Sequence, residues 1–71
     1  MEGKTELWRA GRMCAYYYIA DLGCDVCRSI ELGQRVDNER YAAGNYFRTR
    51  AEAERCAGQI VMVFYKHKLG I

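Results

Sequence analysis

The chain predicts a small α+β domain in which an antiparallel sheet of two or three strands packs on one C-terminal helix. Three observations carry that prediction. Residues 14–20 form a tyrosine-rich apolar run that breaks at Asp21-Leu22-Gly23, the pattern of a strand entering a turn. In the segment 50–68, Ala53, Cys56, Ala57, Ile60, Val63 and Phe64 recur at spacings of three and four, the period of an amphipathic helix. At the junction, Thr49 followed three residues later by Glu52 makes a capping box: the hydroxyl accepts from the Glu52 amide and the carboxylate reaches back to the Thr49 amide.

The whole chain, 1–71, reads as one domain, since no proline, repeat or low-complexity tract marks a linker. Residues 1–12 are polar and predict an irregular segment, with Leu7 and Trp8 folding back onto the body and Trp8 as its anchor. Residues 14–31 predict a hairpin. Alternation puts Tyr16 and Tyr18 on one face and Ala15, Tyr17 and Ile19 on the other, while Val26, Arg28 and Ile30 share a face on the return strand. Residues 32–45 hold Gly33, Asp37, Asn38 and Gly44, which predict a connection. A short third strand at 45–48 follows it, with a helical turn over 41–44 as the alternative. The helix at 50–68 closes with Lys66, His67 and Lys68 in its last turn, where positive charge suits the dipole, and Gly70 ends it.

That helix is apolar nearly all round in its second half, because Val61, Met62 and Tyr65 lie outside the main stripe. Such a helix has a second neighbour. Gly58 inside it costs about 1 kcal/mol relative to Ala, which close approach of another backbone would explain. Gly58, Val61, Met62 and Tyr65 are therefore the expected surface of a homo-oligomer, with a sheet wide enough to wrap the helix as the competing explanation. A domain this short buries only about 60% of its unfolded surface, so a partner subunit would help it.

Composition narrows the function classes. The net charge of +2 is too small to argue nucleic-acid binding alone, but eight arginines stand against three lysines, with six Tyr, two Phe and one Trp. Guanidinium groups grip phosphates and carboxylates through paired hydrogen bonds and stack on aromatic rings, so this is the inventory of a binding surface. The alternative is that the tyrosines fill a small core. No run of about 20 apolar residues is present to span a bilayer, so no membrane contact is expected. The start of the sequence lacks the apolar core of a signal peptide, so a cytoplasmic location with reduced cysteines is expected.

Cys24-Asp25-Val26-Cys27 is a CxxC beside a turn, with Cys14, Cys56 and His67 as further candidate ligands. A structural zinc wants a second close pair, so neither a metal nor any other cofactor is expected, and the cysteines read as small half-buried residues. Ser29 has no base beside it in sequence, His67 reads as a dipole partner, and no phosphate-binding glycine loop occurs, so the chain is not expected to be an enzyme. The helix start is the better candidate. Arg48, Thr49 and Arg50 surround its free amides, Arg28 and Arg40 are placed to join them, and Tyr16, Tyr18, Tyr41 and Tyr46 offer stacking faces for a nucleotide or another anion. A solvated arginine-rich helix start is the alternative.

The order Trp8-x-x-Gly11, Tyr16-Tyr17-Tyr18-Ile19, Gly23, Val26, then Arg40-Tyr41-x-x-Gly44-Asn45-x-Phe47-x-Thr49-x-x-x-Ala53-Glu54 resembles small uncharacterised proteins of phages and prophages of gut bacteria, over residues 8–57. The chain departs from that pattern at Ile30, where a tryptophan is expected. The resemblance implies phage origin, residence in the host cytoplasm and a small sheet-plus-helix fold. The expected function is thus that of a non-enzymatic phage accessory protein, acting against host defence by binding a host protein or sequestering a nucleotide signal. Gly44-x-x-Phe47-x-Thr49-x-x-x-Ala53 also looks like the strand-to-helix junction of arm-type integrase and AP2-like DNA-binding domains, which implies a nucleic-acid partner held by the sheet. A structural or virion-associated protein is the third expectation.

Overall fold

The computed structural model describes residues 8–21 and 25–70. Strands β1 (Ala15–Ala20) and β2 (Asp25–Ile30) pair antiparallel, with Ala15 opposite Ile30, Tyr17 opposite Arg28 and Ile19 opposite Val26. The ladder runs one step further, since the amides of Met13 and Glu31 donate to the carbonyls of Glu31 and Cys14 at 2.8 and 2.9 Å. Two helices follow, α1 (Arg35–Ala43) and α2 (Arg50–Leu69). The α+β class, the antiparallel sheet and the long C-terminal helix are as the sequence predicts.

α2 begins as expected, with Thr49 Oγ1 accepting from the Glu52 amide at 3.1 Å. The reciprocal bond from the Glu52 carboxylate does not form among the described residues; that side chain lines a cleft instead. At the other end Gly70 sits at φ 79° and donates its amide to the His67 carbonyl. Across both strands, α2 packs on the Tyr17–Ile19–Val26 face, where Ala53 and Ala57 are buried. Small residues let helix and sheet approach closely. The apolar stripe was expected to cover the sheet along its whole length, but contact ends near Ile60. Val63 and Phe64 are 64% and 51% exposed, because two six-residue strands are too short to reach the end of a 20-residue helix.

The segment 32–45 is mostly helix, not the connection the sequence suggested. Gly33, at φ 71°, turns the chain out of β2, and Asp37 Oδ2 accepts from the Gln34 amide at 3.1 Å to hold the first turn of α1. Gly44, at φ 80°, ends it in a Schellman arrangement: Gly44 donates to the Tyr41 carbonyl and Asn45 to that of Arg40. α1 lacks an apolar stripe, so periodicity gives it no signal; Arg35 and Glu39 pair along its outer face.

The third strand near 45–48 is reduced to a single antiparallel bridge, Tyr17 to Phe47, with amide–carbonyl distances of 2.9 and 2.8 Å. Asn45 extends it with its side chain. Its Oδ1 accepts from the Ile19 amide at 2.7 Å and its Nδ2 donates to the Ile19 carbonyl at 2.8 Å, so one side chain stands in for a ladder step. The turn residues Leu22 and Gly23, with Leu7 and Cys24, lie outside the described residues.

Candidate functional site: an aromatic cleft on a buried polar network

The other face of the sheet rests on chemistry rather than on hydrocarbon. Tyr16 is fully buried, and its hydroxyl donates to Asp37 Oδ1 while accepting from Arg40 Nη1 at 2.9 Å. Asp37, only 2% exposed, also accepts from the amides of Leu32 and Gln34. Glu31 is its counterpart. It accepts from Arg9 at 3.1 and 3.3 Å, from the Gly33 amide at 2.9 Å and from the Tyr46 hydroxyl at 2.6 Å. Both carboxylates are thus solvated by protein donors, which is the condition for burying a charge cheaply.

These bonds shift the groups in opposite directions. The Tyr16 hydroxyl, assisted by the Leu32 and Gln34 amides, holds the Asp37 carboxyl below its ordinary value; Arg9 and then Tyr46 do the same for Glu31. Burial, reinforced by Glu31, pushes the Tyr46 hydroxyl up to about 12, and burial followed by Asp37 raises Tyr16. All four therefore keep one protonation state through the neutral range.

Tyr46 links this network to the surface. Its ring stacks on Tyr16 at 4.1 Å, meets Tyr41 edge-on at 5.2 Å and lies 5.8 Å from Trp8, while its hydroxyl accepts from the Ala10 amide. Arg9 covers the Tyr41 ring at 4.7 Å. Around the outer edge of this aromatic cluster lies an open cleft of about 330 Å³, walled by Trp8, Tyr41, Gly44 and Tyr46, with Arg48 and Glu52 at its rim. Arg48 sits 5.9 Å from the Trp8 ring. The first turn of α2 borders the cleft, adding the positive end of its dipole to Arg48. Such a cleft can stack a planar group, meet an anion at Arg48, and accept hydrogen bonds from amino or hydroxyl groups at Glu52.

The expected site residues separate accordingly. Tyr41, Tyr46 and Arg48 come together at the cleft. Tyr16 and Arg40 serve the core, Arg40 lying 3.7 Å above the Tyr18 ring, so these three are engaged within the fold. Thr49 caps α2. Arg50 turns to the opposite side, 5.4 Å over Tyr17 and within 3.4 Å of the Val26 carbonyl, with exposed Arg28 opposite Tyr17 on the neighbouring strand. Gly58, Val61, Met62 and Tyr65 are all exposed on α2. α2 packs on one face of the sheet, and on the other the Tyr16 hydroxyl is bonded to Asp37 and Arg40 of α1.

Trp8 and Glu52 join the site without having been expected there. In the sequence Trp8 reads only as an anchor, and Glu52 only as a capping residue. Glu31 and Arg9, 22 residues apart, leave no local trace of their pairing. Cys14, Cys27 and Cys56 are free thiols, no metal-binding group of three side chains occurs among the described residues, and the Cys24 half of the CxxC lies outside them. No described helix is long and apolar enough to cross a membrane. In comparisons with known proteins, the chain matches no family model, no curated protein and no solved structure.

Proposed function

We propose that this chain is a non-enzymatic binding protein whose aromatic cleft takes a nucleotide-type ligand, a planar group carrying negative charge. The observation that supports this reading is the convergence of Trp8, Tyr41 and Tyr46 beside Arg48 at the start of α2. The base stacks at the edge of the Trp8–Tyr46 wall, its phosphate meets Arg48 and the α2 amino terminus, and Glu52 accepts from the amino or ribose hydroxyl groups. The buried Tyr16–Asp37 bond and the partly buried Glu31–Arg9–Tyr46 bonds fix the wall from behind, so little order is lost on binding. The biological setting we propose is a phage accessory protein that sequesters a host nucleotide signal; the Trp8 to Glu54 motif order supports it.

Isothermal titration against a panel of mononucleotides and cyclic nucleotides tests the binding. Stacking is worth about 1–3 kcal/mol per base, so Trp8→Ala weakens binding roughly ten- to a hundredfold. Arg48→Ala does so for phosphate-bearing ligands and spares the nucleoside. Equal affinity in both variants and in the parent chain contradicts the assignment of the cleft.

A further inference from the structure

The second half of α2 leaves the sheet behind and carries an order of its own. On the face opposite the sheet, Ala51, Arg55, Gly58, Met62, Tyr65 and Leu69 succeed one another at spacings of four, three, four, three and four, the alternation of a coiled-coil seam. All six are exposed, Met62 at 51%, Tyr65 at 55% and Leu69 at 54%. The seam is lopsided: small residues or a cation occupy its first half and large apolar ones its second. A Cβ added at Gly58 would meet nothing within 4 Å, so the space above that backbone is open. The flanks are lopsided too, with Glu52 and Glu54 beside the first half and Lys66 and Lys68 beside the second, and none of the four forms an ion pair among the described residues.

We propose that a second copy of this chain packs on this seam, antiparallel, about a two-fold axis passing near Ile60. Reversal is what matches the two ends. With the axis there, Gly58 receives the partner's Met62, Arg55 lies on the ring of the partner's Tyr65, and Ala51 meets the partner's Leu69. Antiparallel seams set like flanking positions against one another, which brings Glu52 to the partner's Lys66 and Glu54 to the partner's Lys68. The two-fold repeats every one of these contacts, giving four ion pairs in all. A parallel pair would instead stack Arg55 on the partner's Arg55 and gather both sets of lysines at one end. Because Glu52 also stands at the rim of the aromatic cleft, pairing places a partner lysine beside that cleft.

Sedimentation of the full chain and of charge-reversed variants tests the inference. The parent chain sediments as a dimer at high micromolar concentration. E52K/E54K and K66E/K68E each sediment as monomers, since reversal of one end sets like charges against each other. The fourfold variant E52K/E54K/K66E/K68E, with every pair inverted, returns to the dimer. Circular dichroism confirms that all remain folded, the substituted side chains being at the surface. A monomeric parent chain overturns the inference, as does a dimer that persists equally in both double variants. K66E/K68E leaves the cleft residues in place, so loss of the dimer and loss of ligand binding are read separately.

Discussion

The hairpin with α1 is closed over by its own side chains, whereas the outer half of α2 stands in solvent. Around the hairpin, two carboxylates and two tyrosine hydroxyls interlock under stacked rings, and nearly every polar atom named there has a partner. Beyond Ile60, α2 carries Val61, Met62, Val63, Phe64, Tyr65 and Leu69 with at least 45% of each surface in solvent. The polar half is closed by its own side chains. The apolar half extends past the two strands, and its large side chains stay at least 45% exposed in the single chain. Burial follows topology here more than hydropathy: a tyrosine at the centre of a short sheet is covered, and a valine past its edge is not.

That contrast makes substitutions in the first region costly. Tyr16→Ala removes a fully buried ring and takes the hydroxyl partner from Asp37 Oδ1, and truncating an aromatic side chain of this kind costs about 3–5 kcal/mol. In a 71-residue domain that is enough to leave the chain largely unfolded at room temperature, as urea titration followed by circular dichroism will show. Tyr16→Phe keeps the stack and loses only the hydroxyl, at about 1–3 kcal/mol. The gap between the two separates ring packing from the bond to Asp37.

Acid and base act on the same network without mutation. Asp37 and Glu31 have folded values held below their ordinary 3.8 and 4.5, so the stability they contribute is present above those values and drains away as pH falls through the depressed ones. Tyr46 has its value raised from 10.0 to about 12, so its contribution is complete below pH 10 and is lost as pH climbs towards 12. Thermal melts should give a plateau through neutrality with a fall on each side. In Tyr46→Phe, the alkaline loss should be smaller.

Much of this architecture was legible in the chain, and the gaps have physical causes. The tyrosine run and the spacing from Ala53 to Ile60 announce their elements because each buries one periodic face. α1 reads as a connection in the sequence because Arg35, Asp37, Asn38, Glu39 and Arg40 leave no apolar stripe; it is anchored by a carboxylate and a guanidinium, which periodicity does not register. Arg40 and Tyr16 looked like ligand-binding residues for the same reason they make a good core pair, since a guanidinium suits a hydroxyl and a ring as well as a phosphate. Trp8 escaped the site because only folding brings it to Tyr46, 38 positions along the chain.

Smaller effects sharpen the comparison. Asn45→Ala removes both side-chain bonds to Ile19 at the sheet edge and costs about 1–2 kcal/mol, read as a lower urea midpoint with unchanged slope. Val63→Gln, at a position 64% exposed and off the seam, changes stability by less than about 0.5 kcal/mol. A large loss there would mean that the outer half of α2 is covered in a way the single chain does not show.

The most direct test of the cleft uses its own reporter. Trp8 is the only tryptophan in the chain and stands in the cleft wall, so its emission reports whatever stacks there. Titration with the nucleotide panel should change Trp8 emission saturably for at least one ligand, and Arg48→Ala should move the midpoint to higher concentration. Emission that stays constant across the panel, with the chain folded, would contradict the account.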